Sequence, residues 1–325
     1  MKAWQIEQHG GPEVMKLVEV PLPEPKTGWV RVKVEAGGLN YSDIAIRRGL
    51  YVEKMPMPLL LGREFAGTID ALGEGVDTWK PGQRVVGTVN PGGAFAEFLC
   101  LPAKVLMPCP EGLSAPEGAS LLIQGITAVH IIEDLAALQE GETVLVHAAA
   151  GGVGTLAIQI AKAKGAQVIG TTSSDEKCQA VEKMGARAVN YSRDDWVEQV
   201  LEATGGKGAD VILESVGGEI CERSFREALA IFGRMVIFGS ASGKAVNFST
   251  WEILASNKTL MGYYLGGYFP AHLDRVGPAV QKLVGWITAG TVKPVIGHTF
   301  PLDKVGEAYA LMEGRKNVGK VIIAL

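Results

Sequence analysis

The chain has 325 residues with a net charge of -4, and Lys and Arg form no run or surplus that would neutralise a phosphate backbone, which argues against nucleic acid as its main partner. Its length exceeds the size at which one hydrophobic core stops growing, so two domains are expected. Four cysteines, Cys100, Cys109, Cys178 and Cys221, lie without CxxC spacing, which argues against a disulfide framework or a zinc knuckle and fits a reducing cytoplasm.

In chain order, the opening MKAWQIEQHG reads as a strand, without the succession of charged start, apolar core and cleavage site that marks export. Short β-like runs follow at Val30 to Val34, Gly67 to Ala71, Arg84 to Val89 and Ala94 to Leu101, separated by Gly and Pro turns, so the first 110 residues predict a compact, mostly β domain. The apolar stretches at Leu59 to Leu61 and Ala148 to Ile160 are interrupted before membrane-spanning length, and no membrane helix is expected. At Ser114 a serine cap, a proline just inside it and apolar residues at helical spacing mark a helical boundary segment.

Beyond it, strands at Thr143 to His147, Gln167 to Thr171, Ala188 to Asn190, Asp210 to Leu213 and Arg234 to Phe238 alternate with helices at Val153 to Lys164, Glu176 to Met184 and Trp196 to Thr204. This succession predicts an α/β architecture with a parallel sheet covered on both faces. From about Gly290 strand patterns return at Lys293 to Phe300 and Lys320 to Ala324, a segment that can rejoin the first domain.

The strand Thr143 to His147 runs into Ala148-Ala149-Ala150-Gly151-Gly152-Val153-Gly154 and then an apolar helix. Glycines here let the backbone approach a pyrophosphate, and the helix N-terminus presents N–H groups and partial positive charge to it. A site selective for NAD would place an acid near the end of the second strand, where this chain has Thr171, Thr172 and Ser173, followed by Lys177. Hydroxyls and an ammonium favour the 2′-phosphate of NADPH. The other reading pairs Lys177 with Asp175 or Glu176 and keeps NAD open.

HGGPEV near the start, GLNYSDIAIRRGLY at 38–51, LLLGREFAGTI, GVDTWKPGQRVVG, the AAAGGVG turn, Asn190-Tyr191, FGSASG at 238–243 and NVGKVI at 317–322 resemble the zinc-independent, zeta-crystallin-like quinone oxidoreductase branch of the medium-chain dehydrogenase/reductase superfamily. The resemblance spans essentially the whole chain. It implies a GroES-like, β-rich catalytic domain from residues 1–122 and 290–325, a Rossmann doubly wound parallel-sheet domain at 123–289, and NADPH in a cleft between them. It implies cofactor contacts at Asn40, Thr127, Gly151, Gly152, Val153, Gly154, Thr172, Ser173, Lys177, Tyr191, Gly217, Phe238, Gly239, Arg315 and Asn317. A homodimer or homotetramer is also implied, while charge and the length of the apolar runs leave neither membrane nor nucleic acid as an expected partner.

The resemblance aligns the catalytic zinc ligands of related alcohol dehydrogenases with Asn40, with Arg63 in Gly62-Arg63-Glu64, and with Gln124. These do not form a zinc set, since zinc takes thiolate, imidazole or carboxylate, and no metal is expected. Without a Lewis acid, hydride transfer suits acceptors that delocalise the resulting charge, such as quinones or conjugated carbonyls. The resemblance places Tyr51 near the cleft, which makes its phenol the first candidate to protonate or hydrogen-bond the developing oxyanion; Asn40 is the other catalytic candidate, and Tyr41 beside Asn40 is a second phenol. His130 and His147 read as hydrogen-bonded core residues, and the aromatic segment Gly262 to Pro270 reads as a substrate wall, a dimer contact, or both. The alternatives are an NADPH-dependent enal, enone or enoyl-thioester reductase, for which Arg47, Arg48 and Lys54 would offer a basic rim, and a non-catalytic NADPH-binding sensor or structural protein.

Overall fold

A computed structural model describes all of residues 1–325. In chain order, the first segment carries β1 (Lys2–Ile6), β2 (Lys16–Glu19), β3 (Trp29–Leu39), α1 (Tyr41–Arg48), β4 (Leu59–Leu60), β5 (Glu64–Leu72), β6 (Arg84–Thr88), β7 (Phe98–Pro102), β8 (Met107–Pro108) and α2 (Ala115–Gly118). Helix α3 (Leu122–Val129) leads into β9 (Thr143–Val146), α4 (Gly152–Ala163), β10 (Gln167–Thr172), α5 (Asp175–Lys183), β11 (Arg187–Asn190), α6 (Trp196–Ala203), β12 (Ala209–Glu214), α7 (Gly218–Arg223) and β13 (Leu229–Ile237). There follow α8 (Thr250–Ser256), β14 (Thr259–Gly262), α9 (Leu265–Ala271), α10 (Leu273–Thr288), β15 (Ile296–Pro301), α11 (Val305–Glu313) and β16 (Lys320–Ala324).

The chain divides into two compact units, Met1–Ile123 with Pro294–Leu325, and Gln124–Lys293. In the first, a sheet ordered β15-β16-β3-β5-β6-β8, with β7 also on β3, lies beside a small β2-β1-β4 sheet. β16 is therefore an interior strand, parallel to β15 and antiparallel to β3. One core of this unit gathers Val30, Val32, Phe65, Ile69 and Val85, and another gathers Ile6, Leu39, Ile44, Phe95, Tyr309 and Val321. The second unit is a six-stranded sheet ordered β11-β10-β9-β12-β13-β14, parallel throughout. Its central strand β9 is buried at every residue, as expected of a parallel sheet covered on both faces. The architecture is the α/β class anticipated from the alternating pattern.

Local differences have physical reasons. Helix α1 interrupts the expected β run: Asn40 is its N-cap, and the Asp43 carboxylate accepts the Asn40 N–H at 2.8 Å. The helical boundary segment is broken. Ser114 and Glu117 form a capping box for the short α2, and after α3 residues 130–135 widen into a π-helix, with Ala136 N–H donating to Ile131 O. The strand expected from Ala94 begins only at Phe98, because Ala94 and Phe95 donate their N–H groups to Gly62 and Leu61 instead. No helix is long and apolar enough to cross a membrane.

Candidate functional site

In the second unit the predicted residues collect at the carboxyl ends of the parallel strands. Just past β9, His147 N–H donates to Leu213 O on β12, and the turn is tied to β10 by Ala149 N–H donating to Thr171 O. Gly151 is the N-cap of α4 and supplies no side chain to cap it. A Cβ on Gly154 would fall 2.6 Å from Ala148 O and 2.7 Å from Ala149 Cα, and one on Gly152 would overlap the Gln124 side chain. The turn therefore holds backbone where any larger residue would push it out. An uncapped helix start behind such a turn suits a pyrophosphate, so these residues fit a dinucleotide.

At the end of β10, Thr172 is buried and its hydroxyl donates to Ser174 O at 2.9 Å. That donation shapes the turn, in which Ser173 and Lys177 are half-buried while Asp175 and Glu176 are exposed. Tyr191, just past β11, is tied to the end of β10 by its N–H, which donates to Thr172 O at 2.9 Å. Gly217 has φ +76, a left-handed conformation that favours glycine, and a Cβ on Gly239 would touch Ser215 at 3.2 Å. Phe238 N–H donates to Glu214 O.

The carboxylate of Glu214 was not anticipated. Wholly buried at the end of β12, it accepts Val216 N–H at 2.7 Å and Gly217 N–H at 3.0 Å, and burial raises its proton affinity. It braces the loop that carries Gly217, and burial together with Glu214 pushes the neighbouring Cys221 thiol up to about 12. An acid ending the apolar run VILE was the available signal.

Thr127 on α3 is 6% exposed and hydrogen-bonds the phenol of Tyr263, which lies 2.9 Å from His130 Nδ1. His130 Nε2 lies 4.0 Å from Asp134 Oδ2, and burial lowers the proton affinity of the ring. His147 is bonded on both ring nitrogens, to Thr171 Oγ1 at 2.6 Å and Ser224 Oγ at 2.7 Å. Because the Ser224 hydroxyl donates to Ile220 O, it accepts from His147 Nε2–H, and Nδ1 accepts from Thr171. The His130 ring packs against Tyr263 and Tyr268, Tyr263 against Tyr268, and Tyr268 against His272, so these aromatic side chains pack within their own unit.

In the first unit, Asn40 is 7% exposed and its side chain is fully engaged: Oδ1 accepts from Lys320 Nζ at 2.8 Å, and Nδ2 donates to Gly38 O at 3.1 Å and more weakly toward Glu64 Oε2 at 3.4 Å. Lys320 Nζ also lies 2.8 Å from Glu64 Oε2, while Glu64 Oε1 accepts Ile123 N–H. Beneath them burial raises the Asp43 carboxyl to about 6, against the pull of Arg63, the Asn40 N–H and Lys320. The Arg63 guanidinium stacks 5.0 Å from the centre of the Tyr51 ring. Arg315, exposed at φ +52 just past α11, and half-buried Asn317, whose Nδ2 lies 3.4 Å from Gly319 O, lead into β16. Lys320, Glu64 and Asp43 were not singled out as site residues.

Residues 26–111 match the alcohol dehydrogenase GroES-like domain family and residues 152–281 the zinc-binding dehydrogenase family. The chain is 33% identical over 323 residues to a quinone oxidoreductase of Pseudomonas aeruginosa, covering 99% of both. It is similar, at TM-score 0.93 and 32% identity over the whole of both chains, to the quinone oxidoreductase of Escherichia coli solved with NADPH. A CurK enoyl reductase is also similar, with TM-score 0.87 and 27% identity over 99% of this chain and 98% of that one.

Proposed function

The chain belongs to the quinone oxidoreductase branch of the medium-chain dehydrogenase/reductase superfamily, and from that membership we propose that it is an NADPH-dependent, zinc-independent oxidoreductase that reduces quinones. The observation that carries the cofactor reading is the end of β10, where Thr171-Thr172-Ser173 stands in place of a carboxylate and Lys177 follows. Gly151, Gly152, Val153 and Gly154 hold the pyrophosphate at the start of α4, with Gly217, Phe238 and Gly239 along the adjacent strand ends. Thr127, Asn40, Arg315 and Asn317 complete the cofactor set. Bound NADPH supplies the hydride.

On the protein side, Tyr51 donates the proton or hydrogen bond to the developing oxyanion, with the positive charge of Arg63 held against its ring. Asn40 acts through its position, since Lys320, Gly38 and Glu64 engage both ends of its amide. Zinc independence is supported by donor chemistry: an ammonium occupies the Asn40 oxygen, and Arg63 brings a second cation. A quinone needs no metal, because its reduced form spreads charge over the ring.

Two copies associate through β14, the outer strand of the six-stranded sheet. Support comes from the apolar side chains beside that edge, with Ile231, Phe232, Trp251 and Leu254 each at least 66% exposed. Cytoplasmic residence is supported by four unpaired cysteines. The similarity to an enoyl reductase favours reduction of a conjugated thioester or enal as the second reading. The test follows NADPH and NADH oxidation with para-benzoquinone, phenanthrenequinone, simple enals and crotonyl-CoA, with and without chelator. NADPH-selective, chelator-resistant quinone turnover is expected, and preference for crotonyl-CoA or enals would replace it with the second reading.

A further inference from the structure

The end of β10 is followed by two acids, Asp175 and Glu176, that open α5 between Ser173 and Lys177. A carboxylate so close to a 2′-phosphate would oppose NADPH. The Asp175 carboxylate is held, however, by the loop that leaves β11. Asn190 Nδ2 donates to Asp175 Oδ1 at 2.8 Å, and Arg193 Nη2 lies 2.9 Å from Asp175 Oδ2. The Asn190 amide is fixed in that sense, because its Oδ1 accepts both the Ser192 N–H at 3.0 Å and the Ser192 hydroxyl at 2.7 Å. Arg193 N–H donates back to Asn190 O, and the intervening Tyr191 N–H is bonded to Thr172 O on β10.

Both oxygens of Asp175 are thus turned to donors from residues 190–193, the segment that also brings Tyr191 to the end of β10. The two hydrogen bonds, Asn190 first and Arg193 second, hold the Asp175 carboxyl below its usual range, and both donors favour its charged form. Arg193 is the cation of the two, and it is 18 residues away in sequence.

We infer that Arg193 is a specificity-determining residue for the cofactor: by pairing with Asp175 it cancels the carboxylate beside the 2′-phosphate position and so lets Ser173 and Lys177 select NADPH over NADH. This rests on the NADPH reading given above. Arg193 acts through Asp175 and does not itself grip the phosphate. A neutral residue at 193 exposes the phosphate to an uncompensated carboxylate, whereas NADH, with a ribose hydroxyl there, is indifferent to or helped by the same acid.

The test measures dissociation constants for NADPH and NADH by calorimetry on the full-length protein, for wild type, R193Q, D175N and R193Q/D175N, alongside KM for each cofactor in quinone turnover. R193Q is expected to weaken NADPH about fivefold and to leave NADH within about twofold. Adding D175N is expected to restore NADPH binding to near the wild-type value. An R193Q protein that keeps the wild-type ratio of the two constants overturns the inference, and so does a double variant as weak as R193Q, which would mean that Arg193 grips the phosphate directly. A wild type without preference for NADPH overturns the cofactor reading itself and this inference with it, whereas a selective wild type unaffected by R193Q overturns this inference alone.

Discussion

Lys320 Nζ lies 2.8 Å from Glu64 Oε2 with the two side chains 2% and 0% exposed, so a lysine near the end of the chain neutralises a glutamate at the start of β5 entirely out of water. Removing one partner strands the other charge. Lys320→Met alone is expected to cost about 3–5 kcal/mol in urea unfolding, and the pair Lys320→Met with Glu64→Gln to recover most of that loss. Equal losses in the single and double variants would show that the pairing does not set the cost.

His147 sets a pH dependence. Burial lowers it from 6.5 to about 3, so the folded state keeps it neutral while the unfolded chain takes up a proton below 6.5. Its contribution is intact above pH 6.5 and is lost as pH falls toward 3, at about 1.4 kcal/mol for each unit. Thermal melts across that range should fall more steeply for wild type than for His147→Gln, and parallel curves would exclude this histidine as a source.

Tyr51→Phe keeps the ring under Arg63 and removes only the hydroxyl. If the phenol serves the reaction, quinone turnover falls by about 100-fold with NADPH affinity unchanged. If the ring merely packs on the acceptor, Tyr51→Phe retains kcat and Tyr51→Ala raises KM.

Gly154 is the tightest test of the dinucleotide turn. An alanine Cβ would meet the backbone at Ala148 and Ala149, neither of which can rotate away. NADPH affinity is expected to drop by at least about tenfold. At Gly151 the nearest atom to a Cβ is Ala148 O at 3.1 Å, so Gly151→Ala should lose less. Calorimetric titration of both variants provides the comparison.

Exposed Trp251 and Leu254 lie on α8, which directly precedes the outer strand β14 in the chain. If two copies pair through β14 as proposed, wild type scatters light as a dimer and Leu254→Asp as a monomer, whereas equal masses for the two proteins would count against an interface at this edge.

The strand-turn-helix of the cofactor turn was legible because its determinants are local: an apolar run, glycines at fixed offsets and an apolar helix follow one another within some twenty residues. The charge cluster of the first unit was not. Asn40 and Glu64 meet across 24 residues, and Lys320 reaches Glu64 across 256, so no window of sequence contains the arrangement. Thr172 illustrates a finer limit. Its position at the end of β10 could be read, but the donation of its hydroxyl to Ser174 depends on the turn that follows. Helix α1 was hidden for a similar reason, since its start depends on Asp43 reaching back to the Asn40 backbone within a stretch otherwise rich in β signals.

The interior place of β16 also bears on the order in which the two units can fold. Residues 124–293 are contiguous and can complete their sheet while the ribosome is still at work, but the sheet of the first unit has a gap between β15 and β3 until residues 320–324 emerge. The earliest residues to leave the ribosome therefore wait longest for their neighbours, with the flank of β3 unpaired in the meantime. A nascent chain of this protein is open to strand-pairing errors and to chaperones at its beginning, not at its middle.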